Sequence, residues 1–460
     1  MQDVYTQADL VIAAHFANDN SDGFLAKSMS RRRPIGSFPW GAGRIYIDDG
    51  APGPLDLMGS PLAFRGWIMQ ERQLARRTIH FFERGIWLET SNGILAEDDF
   101  QVEKSTVYRW FKYLVADGRP FFDARPDIPF APGSFGLMDA LCFFNSFDDS
   151  LFVTMYSDAF GELEPMRFLI YWLNMIEQYS RCQLTKSEDK LIAISGLARV
   201  IHNKMGLTYL AGTWVPLVSS LLWLPESRSL TPSTANRAPS WSWAAYDGPI
   251  QFVRPLLLDG HGLEFISVNG EPIPEFPETG LFCQGPLSLQ IEAFVMSLST
   301  IRIVQAPYDW PASNEKPEIC SLYTHVSFEL HVFTCDDNTK GWICFDVPPD
   351  DAARNSPLLD SVGFWEAANP DFCFVQLASL FTDENHRFQG IYVVGAEVEG
   401  EKVYRRIGMG EIDVEPPKGL RWTGKDTVEA IDQIEDAADP GEEGSAAQPS
   451  VCGVRTITLI

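Results

Sequence analysis

Residues 61–88, PLAFRGWIMQERQLARRTIHFFERGIWL, change hydrophobic period partway along, and that change sets the reading of the N-terminal region. Phe64, Trp67, Ile68 and Leu74 recur at helical spacing and predict a helix over 61–77, with Arg72, Arg76 and Arg77 on its other faces. Ile79-His80-Phe81-Phe82 and Ile86-Trp87-Leu88 then predict two short strands, with Arg84-Gly85 as the turn between them. Upstream, residues 1–8 read as the end of a helix, and Leu10-Val11-Ile12-Ala13-Ala14 as a short strand suited to burial. A buried parallel strand draws its neighbours from other βα units. The reading is therefore an α/β module entered partway through its sheet, with irregular connections over 18–62.

Downstream, Met166, Leu169, Ile170, Leu173 and Ile176 share one helix face, while Phe168, Tyr171 and Trp172 fill the other, predicting a helix buried nearly all round. Thr185 and Glu188 have capping-box spacing for a following helix through Leu191, Ile194, Ser195, Ala198 and Ile201, with Gly206 as its stop. From 251 onward the texture is of short alternating runs punctuated by Pro and Gly: 287–291, 326–332, 342–345, 372–377 and 391–394. These predict an antiparallel sandwich or partial barrel. The expected class is α+β: a truncated α/β N-terminal module over 1–100, a mainly helical region over 101–250, and an antiparallel β unit over 251–424. Residues 425–445 carry Asp426, Glu429, Asp432, Glu435, Asp436, Asp439, Glu442 and Glu443 against Lys425 alone, which predicts a solvated, disordered insert. Residues 446–460 supply a terminal strand that could return to the sheet.

Composition narrows the function classes. The 460 residues are 45% hydrophobic and 21% charged, as in a globular chain. The net charge of −26 argues against a broad nucleic-acid surface. Eight cysteines with no CxxC pair fit a reducing compartment, and the N-terminus shows no signal-peptide pattern, so a cytoplasmic location is expected. The uncharged run 206–225 nears membrane-span length, but Thr208, Gly212, Thr213, Pro216, Ser219 and Ser220 interrupt it. A buried helix is expected there, with no membrane partner.

Enzyme signatures are sparse. There is no phosphate loop, GxGxxG, HExxH or GxSxG. Ser195 falls inside a predicted helix, a poor place for a nucleophile. Cys320, His325, His331 and Cys335 match no zinc spacing, and six residues of strand would hold the two histidines about 20 Å apart. No metal or cofactor is expected. Arg31-Arg32-Arg33 reads as a solvated loop. Arg72 and Arg76 are like-charged i,i+4 neighbours that need acidic partners or an anion; ion pairs tying the helix to the protein are the simpler reading. Trp214, Trp223, Trp241 and Trp243 lie close in sequence, and Pro239-Ser240-Trp241-Ser242-Trp243 alternates as a strand would, with both indoles on one core-facing side.

Arg65-Gly66-Trp67-Ile68-Met69-Gln70-Glu71-Arg72-Gln73-Leu74-Ala75-Arg76-Arg77 resembles the R-x-W-x-x-Q-E-x-x-L-x-x-R segment that closes the heterokaryon incompatibility (HET) domain of filamentous fungi. The opening Met1-Gln2-Asp3-Val4-Tyr5-Thr6-Gln7-Ala8, with Val11-Ile12-Ala13-Ala14, resembles that domain's helix and following strand. Tyr179-Ser180-Arg181, Asp189-Lys190-Leu191, Ile194-Ser195-Gly196-Leu197-Ala198, Tyr209 to Trp214, Leu221-Leu222-Trp223, Arg237 to Ala244 and Val403 to Gly408 resemble, in order, segments that follow it. The family's S-Y-x-W-G and W-I-D-x-x-C-I-x-Q segments have no counterpart, which implies that the chain lacks the first half of the domain.

The resemblance implies fungal non-self recognition, with a cell-death signal passed through contacts with other proteins. It marks Arg65, Trp67, Gln70, Glu71, Leu74, Arg77, Tyr179, Arg181, Asp189, Trp214, Trp241 and Trp243 as motif residues. HET domains are also thought to be distantly similar to Toll/interleukin-1 receptor domains, some of which cleave NAD. That alternative makes Glu71 the candidate carboxylate for an oxocarbenium-like centre. A non-functional fragment is the remaining alternative.

Overall fold

Helix α1 (Gln2–Gln7) leads into strand β1 (Val11–Ala14), and a computed structural model sets that strand parallel to a later one, β4 (Arg77–Phe82). The described residues are 2–17, 21, 23–24, 34–41, 43–48, 59–82, 85–90, 93–96, 101–102, 164–205, 207–215, 218–226, 230–234, 237–253, 263–272, 281–282, 287–298, 301–309, 329–335, 340–347, 372–381, 386–413, 420–423, 427–430 and 452–460. Arg31, Arg32, Arg33, Cys320, His325 and the stretch 103–163 lie outside them. The chain is mixed α+β and divides into two compact units, Met1–Leu207 with Phe276–Cys283, and Thr208–Glu275 with Gln284–Ile460. Among the described residues no helix is long and apolar enough to cross a membrane.

In the first unit a hairpin, β2 (Pro34–Trp40) with β3 (Gly43–Asp48), stands as its own two-stranded sheet. Helix α2 (Gly66–Leu74) follows, shorter than the expected 61–77. Arg65 is extended and opens it. Residues 64–66 pair with Gln183 instead of coiling: Gly66 N donates to Gln183 O, and Gln183 N to Phe64 O. That pairing satisfies an orphan N–H of the first turn that no capping side chain covers. Strand β4 then forms the expected hairpin with β5 (Gly85–Thr90), in register from Arg77↔Thr90 to Phe82↔Gly85. Strands β6 (Gly93–Ala96) and β7 (Gln101–Val102) complete a sheet ordered β1-β4-β5-β6-β7. Strand β1 is therefore an edge, and Ile12 is 58% exposed. The strand forms where expected, but its burial does not, because only β4 pairs with it among the described residues.

Helix α3 (Glu164–Ser180) buries Trp172, Leu173, Asn174, Met175 and Ile176 in succession, as its all-round apolar pattern requires. The expected capping box is not used. Thr185 is exposed, Ser187–Lys190 form a 3-10 turn opened by extended Lys186 without a side-chain cap, and helix α4 runs from Ile192 to Met205; Gly206, the expected stop, lies outside the described residues.

The helical region expected to reach 250 stops there. In the second unit Thr208–Leu210 and Thr213–Val215 form a tight hairpin, followed by a 3-10 turn at Val218–Leu221 and a strand at Trp223–Pro225. The buried helix expected over 206–225 does not form. The turn needs positive φ at Ala211 (42°) and Gly212 (101°), and Gly212 packs so closely on the Trp243 indole that a Cβ would lie 2.4 Å from Nε1. Nor is 239–243 a strand: Ser242 Oγ accepts from Ala244 N and caps a 3-10 turn over Trp243–Ala245.

The rest of this unit is built on β8 (Leu289–Ser297), β9 (Lys340–Phe345), β10 (Phe372–Phe381), β11 (His386–Val398), β12 (Glu401–Asp413) and β13 (Cys452–Leu459). Strands β8, β10, β11, β12 and β13 close on themselves. Strand β13 pairs antiparallel with β8 over Leu289↔Leu459 to Met296↔Cys452 and meets β12 at Tyr404↔Leu459. The β unit is thus a closed five-stranded barrel where a sandwich or partial barrel was expected, antiparallel as expected except for the closing β12–β13 pair, which is parallel, with the terminal strand returning as its fifth stave. Met296, Ile343, Phe345, Phe372, Phe374, Phe388, Tyr392 and Ile412 make its apolar core. Of the acidic stretch, Thr427–Ala430 pairs with Leu420–Thr423 in a hairpin, not the expected loop; residues 431–451 lie outside the described set.

Gly390 and Gly410 face each other across β11 and β12. A Cβ on Gly410 would lie 1.9 Å from Trp342 O, and one on Gly390 2.1 Å from Val375 O. Neighbouring backbone comes so close at both positions that only glycine fits. Gly410→Ala is expected to cost roughly 1–3 kcal/mol, because neighbouring backbone must shift. Urea denaturation followed by tryptophan fluorescence measures it, and an unchanged midpoint would show that the strand spacing relaxes freely.

Candidate functional site

Three strands and a helix of the first unit converge on a buried polar chain. The alternation of β4 turns Thr78, His80 and Phe82 inward, and that of β5 turns Gly85, Trp87 and Glu89 to the same side. His15 follows β1 directly, its N–H donating to Phe81 O, and its ring stacks on Phe82 with centroids 4.5 Å apart. Ser60 sits in the turn that precedes α2 and also accepts from Ala63 N.

The chain runs in four steps. Ser60 Oγ lies 2.8 Å from His15 Nδ1, His15 Nε2 2.8 Å from His80 Nδ1, and His80 Nε2 2.8 Å from Glu89 Oε2. Arg72 from α2 closes it as a fork: Nε and Nη2 each donate to one Glu89 carboxylate oxygen at 3.0 Å. Ser60, His15, His80 and Glu89 are all buried. A bidentate guanidinium fixes Glu89 as an ionised acceptor. Burial, reinforced by His80 and Arg72, pushes the His15 imidazole down to about 3, so His15 is neutral through the physiological range.

The acidic partner sought for Arg72 is thus Glu89, and the ion pair ties the helix to the sheet as expected. Arg76 and Arg77 are exposed. Glu71 points elsewhere: it bonds the Tyr5 hydroxyl of α1 with Arg65 nearby. Burial lifts its carboxyl above the ordinary range, and the same burial, with Glu71 beside it, lifts Tyr5 to about 12.

The other face of α2 meets α3 and α4. Buried Gln70 accepts from Gly196 N at 2.7 Å, and Trp67 Nε1 donates to Asp189 Oδ2 at 3.4 Å. The Tyr179 hydroxyl donates to Lys190 O at 2.6 Å, and Leu74 is fully buried. A Cβ on Gly66 would lie 2.6 Å from Leu184 Cδ2, so a larger residue at the helix start would make the Leu184 side chain shift. Arg65 and Arg181 are exposed. Ser195 is no free nucleophile, since its hydroxyl donates to Ile192 O within its own helix.

Trp214, Trp241 and Trp243 belong to the second unit and are buried there. Trp243 Nε1 donates to Gly212 O, and Trp241 O accepts from Trp223 Nε1. Beside Trp223 lies buried Arg406. Its Nε and Nη2 fork onto Asp346 at 3.0 Å, Nη1 donates to Leu221 O and Nη2 to Trp223 O. Its guanidinium carbon lies 3.5 Å from the Trp223 ring centroid. Arg406 N donates to Ser240 Oγ, which itself bonds Ile460 O.

Sequence reading missed His15, Ser60, His80, Glu89, Asp346 and Arg406 as site residues. The available signal was phase: His80 alternates with Phe82 and Glu89 with Trp87, which puts ionisable groups on inward faces. Among the described residues no group of His, Cys, Asp and Glu could hold a metal ion, and His331 and Cys335 lie on the strand Glu329–Cys335. Comparison with protein-family models, with curated proteins and with solved structures found no match to this chain.

Proposed function

We propose that the chain is a HET-type module of fungal non-self recognition, its first unit the closing part of the α/β domain, passing a cell-death signal through contacts with other proteins in the cytoplasm. One observation carries the reading. Segments that resemble the family are distant in sequence, yet within each unit they are one another's hydrogen-bond partners. Gln70 meets Gly196, Trp67 meets Asp189, and Arg406 gathers Leu221, Trp223 and Ser240. Scattered coincidences of sequence would have no reason to meet in pairs. Half of the twelve side chains named by the resemblance are buried (Gln70, Leu74, Tyr179, Trp214, Trp241 and Trp243), and Arg65, Arg77 and Arg181 are exposed, so the proposal assigns recognition to the exposed surface.

The test is inducible expression in a filamentous fungus with viability counted by dye exclusion. A loss of at least tenfold in viable cells that requires particular host strains supports the proposal; equal viability in all strains overturns it. The NAD-cleaving alternative turns on Glu71, whose carboxyl bonds the Tyr5 hydroxyl and whose ionised form, the one needed beside an oxocarbenium-like centre, is disfavoured by burial. Purified protein incubated with NAD decides it. Nicotinamide release that Glu71→Ala abolishes would replace the contact reading with an enzymatic one.

A further inference from the structure

We propose that Ser60, His15, His80 and Glu89 form a one-proton relay whose Ser60–His15 and His15–His80 hydrogen bonds reverse direction together on proton uptake, while His80 goes on donating to Glu89, signalling acidity to the turn that enters α2. The inference rests on geometry alone and does not depend on the proposed function.

The neutral state has one self-consistent arrangement. Glu89, held by Arg72, can only accept, so His80 donates from Nε2. A neutral imidazole has one N–H, so His80 Nδ1 is bare and accepts from His15 Nε2. His15 Nδ1 is then bare in turn and accepts the Ser60 hydroxyl hydrogen. Every link is satisfied, and all point toward Glu89.

One added proton reverses the outer part. It belongs on His80, the ring beside the carboxylate. His80 Nδ1–H must then donate to His15 Nε2, which has to be bare. His15 therefore becomes the Nδ1–H tautomer while staying neutral, and Ser60 changes from donor to acceptor. A second proton cannot follow, because the His15–His80 link would hold two facing N–H groups. The charged groups acting on His15 are Arg72 from α2 and Glu89 from β5, with His80 from β4 adjacent, and the flanking Phe82 is apolar. Ser60 also receives Ala63 N in the turn leading to Gly66, so its change of role falls on the entry to the helix bearing Gln70 and Trp67.

The test is long-range proton–nitrogen correlation on the full chain labelled at its seven histidines. The expected result is the Nε2–H tautomer for both His15 and His80 at pH 8. On acidification His80 becomes doubly protonated and, at the same midpoint, His15 switches to Nδ1–H. Glu89→Gln should lower that midpoint by about one pH unit, tenfold in proton affinity, and Arg72→Gln should raise it by about as much. The relay is overturned if His15 keeps Nε2–H while His80 protonates, if the rings titrate at separate midpoints, if His15 is Nδ1–H at pH 8, or if neither changes before unfolding. The wild-type spectrum decides even if a variant fails to fold.

Discussion

Replacing Arg406 with Met is expected to destabilise the second unit by about 3–5 kcal/mol. The side chain is 1% exposed and holds four acceptor oxygens: both of Asp346 and the carbonyls of Leu221 and Trp223. Met restores most of the volume but none of the donors. Asp346 is fully buried, and burial already pushes its carboxyl above the ordinary range against the pull of Arg406. Without the guanidinium the carboxyl must take up a proton or remain an uncompensated charge, and both carbonyls stay unpaired. Removing both partners is a different case. Arg406→Met with Asp346→Leu leaves no orphan charge, so the double variant should recover more than half of the loss. Urea denaturation read by tryptophan fluorescence suits this site, since the guanidinium stacks on Trp223. A single variant within about 1 kcal/mol of wild type, or a double variant no better than the single, would remove Arg406 as the keystone of this unit.

Local pattern made part of this structure legible. The hairpin of β4 and β5 follows from period-2 apolar runs around a Gly turn, and α2 and α3 from helical spacing. Each decision rests on neighbours within a few residues. The failures share a physical cause. The run 206–225 is apolar enough for a buried helix, but Gly212 at positive φ and its close packing on Trp243 turn it into a hairpin, a constraint from 31 residues away. Thr185 and Glu188 have capping-box spacing, yet Glu188 falls in a 3-10 turn opened by extended Lys186, just after Gln183 pairs with residues 64–66. The two polar centres were illegible for the same reason. His15 and His80 are 65 residues apart and Asp346 and Arg406 are 60 apart, and no local rule selects those partners. Sequence order could rank the motif segments but not show that Gln70 closes on a backbone N–H 126 residues later.

Acidification supplies the second large effect. Burial, with His80 and Arg72 adding to it, pushes the folded His15 imidazole down to about 3, against an ordinary 6.5 in the unfolded chain. A base whose folded value is depressed contributes its full stability above pH 6.5 and loses it as pH falls toward 3, because the unfolded chain binds a proton that the fold refuses. At pH 4.5, two units below the unfolded value, the loss from this one group is about 3 kcal/mol. The relay has the same stoichiometry: two histidines free in the unfolded chain accept two protons, and the linked pair accepts one. Glu71 and Asp346 have raised carboxyls and act with the opposite sign, gaining stability as pH falls, so a raw curve mixes the contributions. The comparison with His15→Gln separates them, since every other group is common to both chains. Urea melts at pH 7.5, 6.0 and 4.5, read by pulsed hydrogen exchange of the 77–90 segment, report the first unit alone. The variant is expected to be less stable at pH 7.5, with its deficit shrinking by about 3 kcal/mol at pH 4.5. A deficit constant across the three pH values would mean that His15 takes up its proton as readily folded as unfolded, and neither the depressed value nor the one-proton limit could then stand.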